Sequence, residues 1–132
     1  MADQTRKQLA EAGLKVRREV LGDEYVDKSL ANTTDFTEAL QGLVNEYCWG
    51  AVWGREGLTR KERSLVNLGM LTALGRIHEV EIHVRGALNN GVTKEQISEV
   101  FLQSAIYCGV PAAVDGFRIA REAFAEADAD KK

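Results

Sequence analysis

The stretch T-R-K-E-R-S-L-V-N-L-G-M-L-T-A-L-G, Thr59 to Gly75, decides the fold class. It opens on Thr59 with Glu62 three positions later. In that capping pattern a hydroxyl and a carboxylate each satisfy an orphan backbone N–H of a first helical turn. From Leu65 to Leu74 it is apolar on nearly every side, and it stops at Gly75. This predicts a helix from Arg60 to about Leu74. A surface helix has one polar face, so this one belongs at the centre of the molecule or in an interface.

The same punctuation continues in both directions. Upstream, an amphipathic helix is expected from about Gln4 to Leu21, with Leu9, Leu14, Val16, Val20 and Leu21 inward and Gly22 closing it. A short helix follows, with Asp23 as its N-cap and Tyr25, Val26 and Leu30 inward. Thr33 or Thr34 then caps a longer one that carries Phe36, Leu40, Leu43, Val44, Tyr47 and Ala51 at helical spacing. It ends in W-G-A-V-W-G-R, Trp49 to Arg55. Downstream, a helix runs from Ile77 to about Asn90 and ends at Gly91. T-K-E-Q, Thr93 to Gln96, is a second capping box and opens a helix to about Tyr107. Gly109 stops it, and Pro111 suits the first turn of the last helix. No segment alternates apolar and polar residues as a half-buried strand would. The expectation is an all-α, single-domain bundle of six to seven helices over residues 1–132, with residues 1–19 in the N-terminal helix and residues 126–132 a frayed tail.

Bulk properties narrow the function. At 132 residues the chain suits one domain, and 45% hydrophobic content allows a real core. Seventeen basic against twenty acidic side chains leave a net charge of −3, with no basic stripe for nucleic acid. The first eighteen residues lack the apolar stretch of a secretory signal, and no apolar run approaches the roughly 20 residues that span a bilayer. A cytoplasmic protein is expected. Cys48 and Cys108 form no C-x-x-C pair and no zinc spacing, and both are read as small buried hydrophobes.

The stretch R-I-H-E-V-E-I-H, Arg76 to His83, holds the most chemistry. Glu79 and His83 lie four apart on one helix face, and Arg76 lies three before Glu79. A carboxylate beside an imidazole raises its pKa and orients it, which makes a tunable proton donor. The same spacing also describes an ordinary solvated helix face. The pair's place, directly after the most apolar helix and flanked by Val80 and Val84, favours chemistry. His78 and Glu81 point elsewhere and are read as surface. H-E-x-x-H is absent, so no metal is expected. Trp49 and Trp53, four apart, pack as core or form an aromatic wall beside Arg55, whose guanidinium fork suits a carboxylate. Tyr107 and Cys108 could line the same pocket, or Tyr107 could simply be buried with its hydroxyl satisfied.

Taken together, several segments resemble the carboxymuconolactone decarboxylase family. They are V-L-G-D-E-Y-V-D (Val20 to Asp27), W-G-A-V-W-G-R, L-T-R-K-E-R-S-L (Leu58 to Leu65), H-E-V-E-I-H-V-R-G-A-L-N-N-G-V-T (His78 to Thr93) and Q-S-A-I-Y-C-G-V-P-A-A (Gln103 to Ala113). The tryptophan segment and Y-C-G-V-P-A-A resemble the true decarboxylase subgroup. The resemblance implies the alkylhydroperoxidase D-like helical fold and a ring-like homo-oligomer, expected as a hexamer. The peroxidase signature C-x-x-C-x-x-x-H reads Arg76-x-x-Glu79-x-x-x-His83 here. The missing thiols argue against peroxide chemistry, which needs a thiolate and a resolving partner.

The activity it implies is loss of CO2 from 4-carboxymuconolactone to give 3-oxoadipate enol-lactone, in aromatic catabolism. That substrate is its own electron sink, so no cofactor is expected. Expected roles follow: His83, supported by Glu79, for the proton; Arg55 or Arg76 for the acetate arm; Tyr107 or backbone N–H groups for the enolate; Trp49 and Trp53 for the wall. Two other classes stay open: a superfamily enzyme with another substrate, such as a peroxide-linked reductase or a different lactone, and a non-catalytic helical oligomer.

Overall fold

The structure, a computed structural model, describes residues 5–131, which contain helices and no strand. Their order is α1 (Arg6–Leu21), α2 (Asp23–Ala31), α3 (Glu38–Leu43), a π-helix (Val44–Val52), α4 (Arg60–Ala73), α5 (Ile77–Asn89), α6 (Lys94–Tyr107) and α7 (Val110–Asp130). The chain falls into two compact units, Met1–Thr59 and Arg60–Lys132.

In the first unit Thr5 and Gln8 form a capping box, so α1 starts at Arg6; Gln4, expected inside the helix, lies outside the described residues. Gly22 takes both the C-cap of α1 and the N-cap of α2, which puts Asp23 inside the helix instead of at its cap. The long helix expected from Thr33 or Thr34 is interrupted. The Thr37 hydroxyl accepts from the Thr34 backbone N–H at 2.9 Å, a local turn that delays the helix to Glu38. The helix then widens: the Trp53 N–H reaches back five residues to the Cys48 carbonyl at 2.9 Å. Packing against α1 accompanies this change. A Cβ on Gly50 would stand 2.6 Å from the Leu9 carbonyl oxygen, and one on Gly13 would collide with the Asn45 carbonyl oxygen. Val20, Trp49 and Trp53 form the core of this unit, with Val16, Leu21 and Val44 against them. Phe36, Leu40, Leu43 and Tyr47, expected at helical spacing on one helix, are exposed, Phe36 at 95%.

The second unit packs around Leu68, Val84, Ile97, Phe101, Ala120 and Ala123. One stripe of α4 is buried, Ser64, Leu68 and Thr72. Val66, Met70 and Leu74 on other sides are exposed, so within this chain α4 is not enclosed all round as its composition suggests. Gly116 lets α7 close onto α6, where a Cβ would meet the Phe101 ring at 2.9 Å. Gly109 turns the chain between them at φ 108°, a backbone conformation side chains resist, and Pro111 sits in the first turn of α7. In the segment expected to fray, residues 126–132, α7 continues to Asp130, and Lys132 is outside the described residues. Ion pairs hold it, Arg85 to Glu126 at 2.6 Å and Lys94 to Asp128 at 3.2 Å. No helix among the described residues is long and apolar enough to cross a membrane.

Candidate active site

Thr72 ends the buried stripe of α4, and Gly75 then reverses the chain at φ 71°. Arg76 caps α5 at its N-terminus, and the helix carries Glu79 in its first turn and His83 in its second. The Arg76 guanidinium donates to Glu79 Oε1 at 3.1 Å. Burial pushes the Glu79 carboxyl up. The hydrogen bond from Arg76, its own backbone N–H and the charges of Arg76 and His78 outweigh that, so the carboxyl is held below its ordinary range. Glu79 is therefore a carboxylate at neutral pH, poised one turn before the imidazole.

His83 does not behave as the carboxylate alone would dictate. Burial lowers its pKa from 6.5 to about 4, and the Glu79 charge, which raises it, recovers only part of that. The expected rise is thus corrected to a fall, because His83 is partly buried on the side of α5 that packs against α4. Asn67 on α4 contacts it, with Nδ2 3.1 Å from His83 Nδ1. Asn67 was not among the residues expected at the site. Its signal is an amide standing in an otherwise apolar run. His78 is exposed, as expected, whereas Glu81 is partly buried.

Tyr107, at the end of α6, is 83% exposed and not a buried, satisfied tyrosine. It lines a groove of about 670 Å³ between α4 and α6 with Leu65, Val66, Gly69, Met70 and Cys108, and neither Glu79 nor His83 reaches that groove. Cys48 and Cys108 are both exposed, which corrects their assignment as buried hydrophobes. Trp49 and Trp53 are 3% and 7% exposed, their ring centroids 4.9 Å apart, inside the first unit's core. Arg55, also in the first unit, is exposed. No three of the described His, Cys, Asp and Glu residues are grouped to hold a metal ion.

The described residues are helical, and Arg76 with the first two turns of α5 brings together an arginine, a carboxylate and a partly buried imidazole, groups able to hold or move a proton. Residues 38–122 match the carboxymuconolactone decarboxylase family. The chain is 45% identical over 112 residues to a 4-carboxymuconolactone decarboxylase of Acinetobacter baylyi, covering 85% of this chain and 84% of that one. It is 43% identical over 120 residues to the nitrosuccinic acid decarboxylase npaB of Metarhizium robertsii, covering 91% of this chain and 84% of that one. The chain belongs to the carboxymuconolactone decarboxylase family, and is a carboxy-lyase.

Proposed function

We infer that this chain decarboxylates 4-carboxymuconolactone to 3-oxoadipate enol-lactone without a cofactor, in aromatic catabolism. The observation that carries the reading is the Arg76, Glu79 and His83 cluster in a chain 45% identical to a decarboxylase named for that substrate. As the bond to the leaving carboxylate breaks, its electron pair moves through the ring double bond into the lactone carbonyl. CO2 departs and a dienolate remains. A proton then closes the reaction at the ring carbon, and water replaces that proton on the enzyme.

His83 is the proton carrier. It is neutral in the empty site, since its pKa lies near 4. Two substrate carboxylates brought beside it favour its charged form, and Glu79 adds to that field. An imidazolium formed against burial is a strong acid, suited to hand its proton to carbon. Arg76, on the same helix, takes the acetate arm; backbone N–H groups stabilise the enolate. Tyr107 sits in a groove that lacks His83, and the roles expected of Trp49, Trp53 and Arg55 are not needed, because α5 and its N-cap residue Arg76 carry the three groups. The exposed Phe36, Met70, Leu74 and Ile106 support a homo-oligomer; six subunits in closed symmetry is the form the family resemblance implies.

The 43% identity to a nitrosuccinic acid decarboxylase favours a second reading. A nitro group is also a built-in electron sink, so the same proton chemistry would serve. The test supplies each acid to the purified chain and follows CO2 release. Faster turnover of the lactone supports the first reading; turnover of nitrosuccinate alone replaces it; CO2 from neither sinks both.

A further inference from the structure

Asn67 and Thr72 are the polar side chains of the apolar run, residues 65–74. Thr72 spends its hydroxyl on its own helix, donating to the Leu68 carbonyl at 2.6 Å. Asn67 instead reaches across to α5, sixteen residues away in sequence, where Nδ2 lies 3.1 Å from His83 Nδ1. An amide nitrogen only donates, so Nδ1 accepts and carries no proton. A neutral imidazole has a single N–H, which then sits on Nε2.

We propose that Asn67 is a positioning residue for the decarboxylation: it holds His83 as the Nε2–H tautomer, so that the transferable proton resides on the ring nitrogen opposite Asn67. This rests on His83 being the proton carrier. When the ring becomes an imidazolium, Nδ1 gains a proton and can no longer accept. The Asn67 amide must then turn over and offer its oxygen. The same side chain thus donates to the resting ring and accepts from the charged one. Transfer of the Nε2 proton to carbon leaves a ring with its proton on Nδ1, still held by the amide oxygen, until solvent returns a proton to Nε2, takes the one on Nδ1, and the amide turns back. Leucine, nearly the same size, could do neither.

The chain has two histidines, so its ring-nitrogen spectrum is simple, with exposed His78 as an internal reference. Long-range proton–nitrogen correlations on the uniformly labelled full chain at neutral pH read the tautomer directly. The wild type shows Nε2–H at His83. Asn67→Ala mixes the two tautomers and lowers kcat by about tenfold with KM unchanged, the scale of one hydrogen bond's preference. Asn67→Asp, whose carboxylate accepts, moves the proton to Nδ1. If that variant fails to fold, Asn67→Ala still decides the matter. Nδ1–H in the wild type, or wild-type tautomers in both variants, overturns the assignment. Expected tautomers together with a fully active His83→Gln overturn the catalytic reading of His83, and the positioning role with it, while leaving the tautomer in place.

Discussion

Glu79 draws His83 towards its charged form, and burial draws it further the other way, to a pKa near 4. The balance makes the histidine a stability sensor as well as a proton carrier. Above about pH 6.5 the ring is neutral in folded and unfolded chains, and its contribution is whole. As pH falls below that, the unfolded chain takes up a proton that the folded chain refuses until about 4. Stability is therefore lost across this window, by up to about 3 kcal/mol. Urea unfolding at several pH values should show His83→Gln losing less than wild type between these limits. Parallel losses in the two proteins would mean that His83 is not depressed.

The kinetic roles separate by substitution. His83→Gln should lower kcat by roughly 10²- to 10⁴-fold, with KM little changed. Glu79→Gln keeps the shape and removes the charge, and should also slow turnover. The double variant should lose less than the product of the two single losses, because Glu79 works through His83. His78→Gln, exposed and off the stripe, should be near neutral. Normal rates in both His83→Gln and Glu79→Gln would reduce the pair to a helix face.

Assembly is tested by charge. Met70 and Ile106 are 53% and 80% exposed in the isolated chain. Sedimentation of the wild type should give a multiple of the 14.6 kDa chain mass, and Met70→Glu or Ile106→Glu should shift it towards one chain. A wild-type monomer at micromolar concentration would end the oligomer reading.

Two glycines in the first unit should respond oppositely to a methyl group. Gly13→Ala forces α1 off the Asn45 carbonyl and should cost about 1–3 kcal/mol or more. Gly42, in α3, has nothing within 4 Å of an added Cβ, and Gly42→Ala should stabilise by about 0.5–1 kcal/mol. Thermal melts of the two variants would reverse this order only if α1 and the π-helix do not cross as described.

Local chemistry was readable from sequence, and long-range compensation was not. The Thr93 box appears with both its bonds, 2.9 and 3.1 Å, because its partners are three residues apart. Gly75 and Gly109 stop α4 and α6 for similarly local reasons. The Thr5–Gln8 box is equally local, a T-x-x-Q pattern whose partners are three residues apart. By contrast, the persistence of α7 to Asp130 depends on Arg85 and Lys94, more than thirty residues away. At the site, helical spacing gave Arg76 and Glu79 as neighbours. It could not give the sign of the His83 shift, which comes from burial between helices, or the reach of Asn67 across them.

The wide turn that ends at Trp53 has a consequence for how the chain tolerates changes in length. A π-helix is in effect an α-helix that has taken in one extra residue. Deleting Cys48 could therefore close the wide steps that span it within Val44–Val52 into ordinary turns without opening a gap. It would, however, rotate everything upstream by about 100° relative to the tryptophans. Gly13 and Gly50 would then no longer face the backbone they now touch. The segment is spare in length but not in phase: it could shed a residue as a helix, though not as a partner for α1.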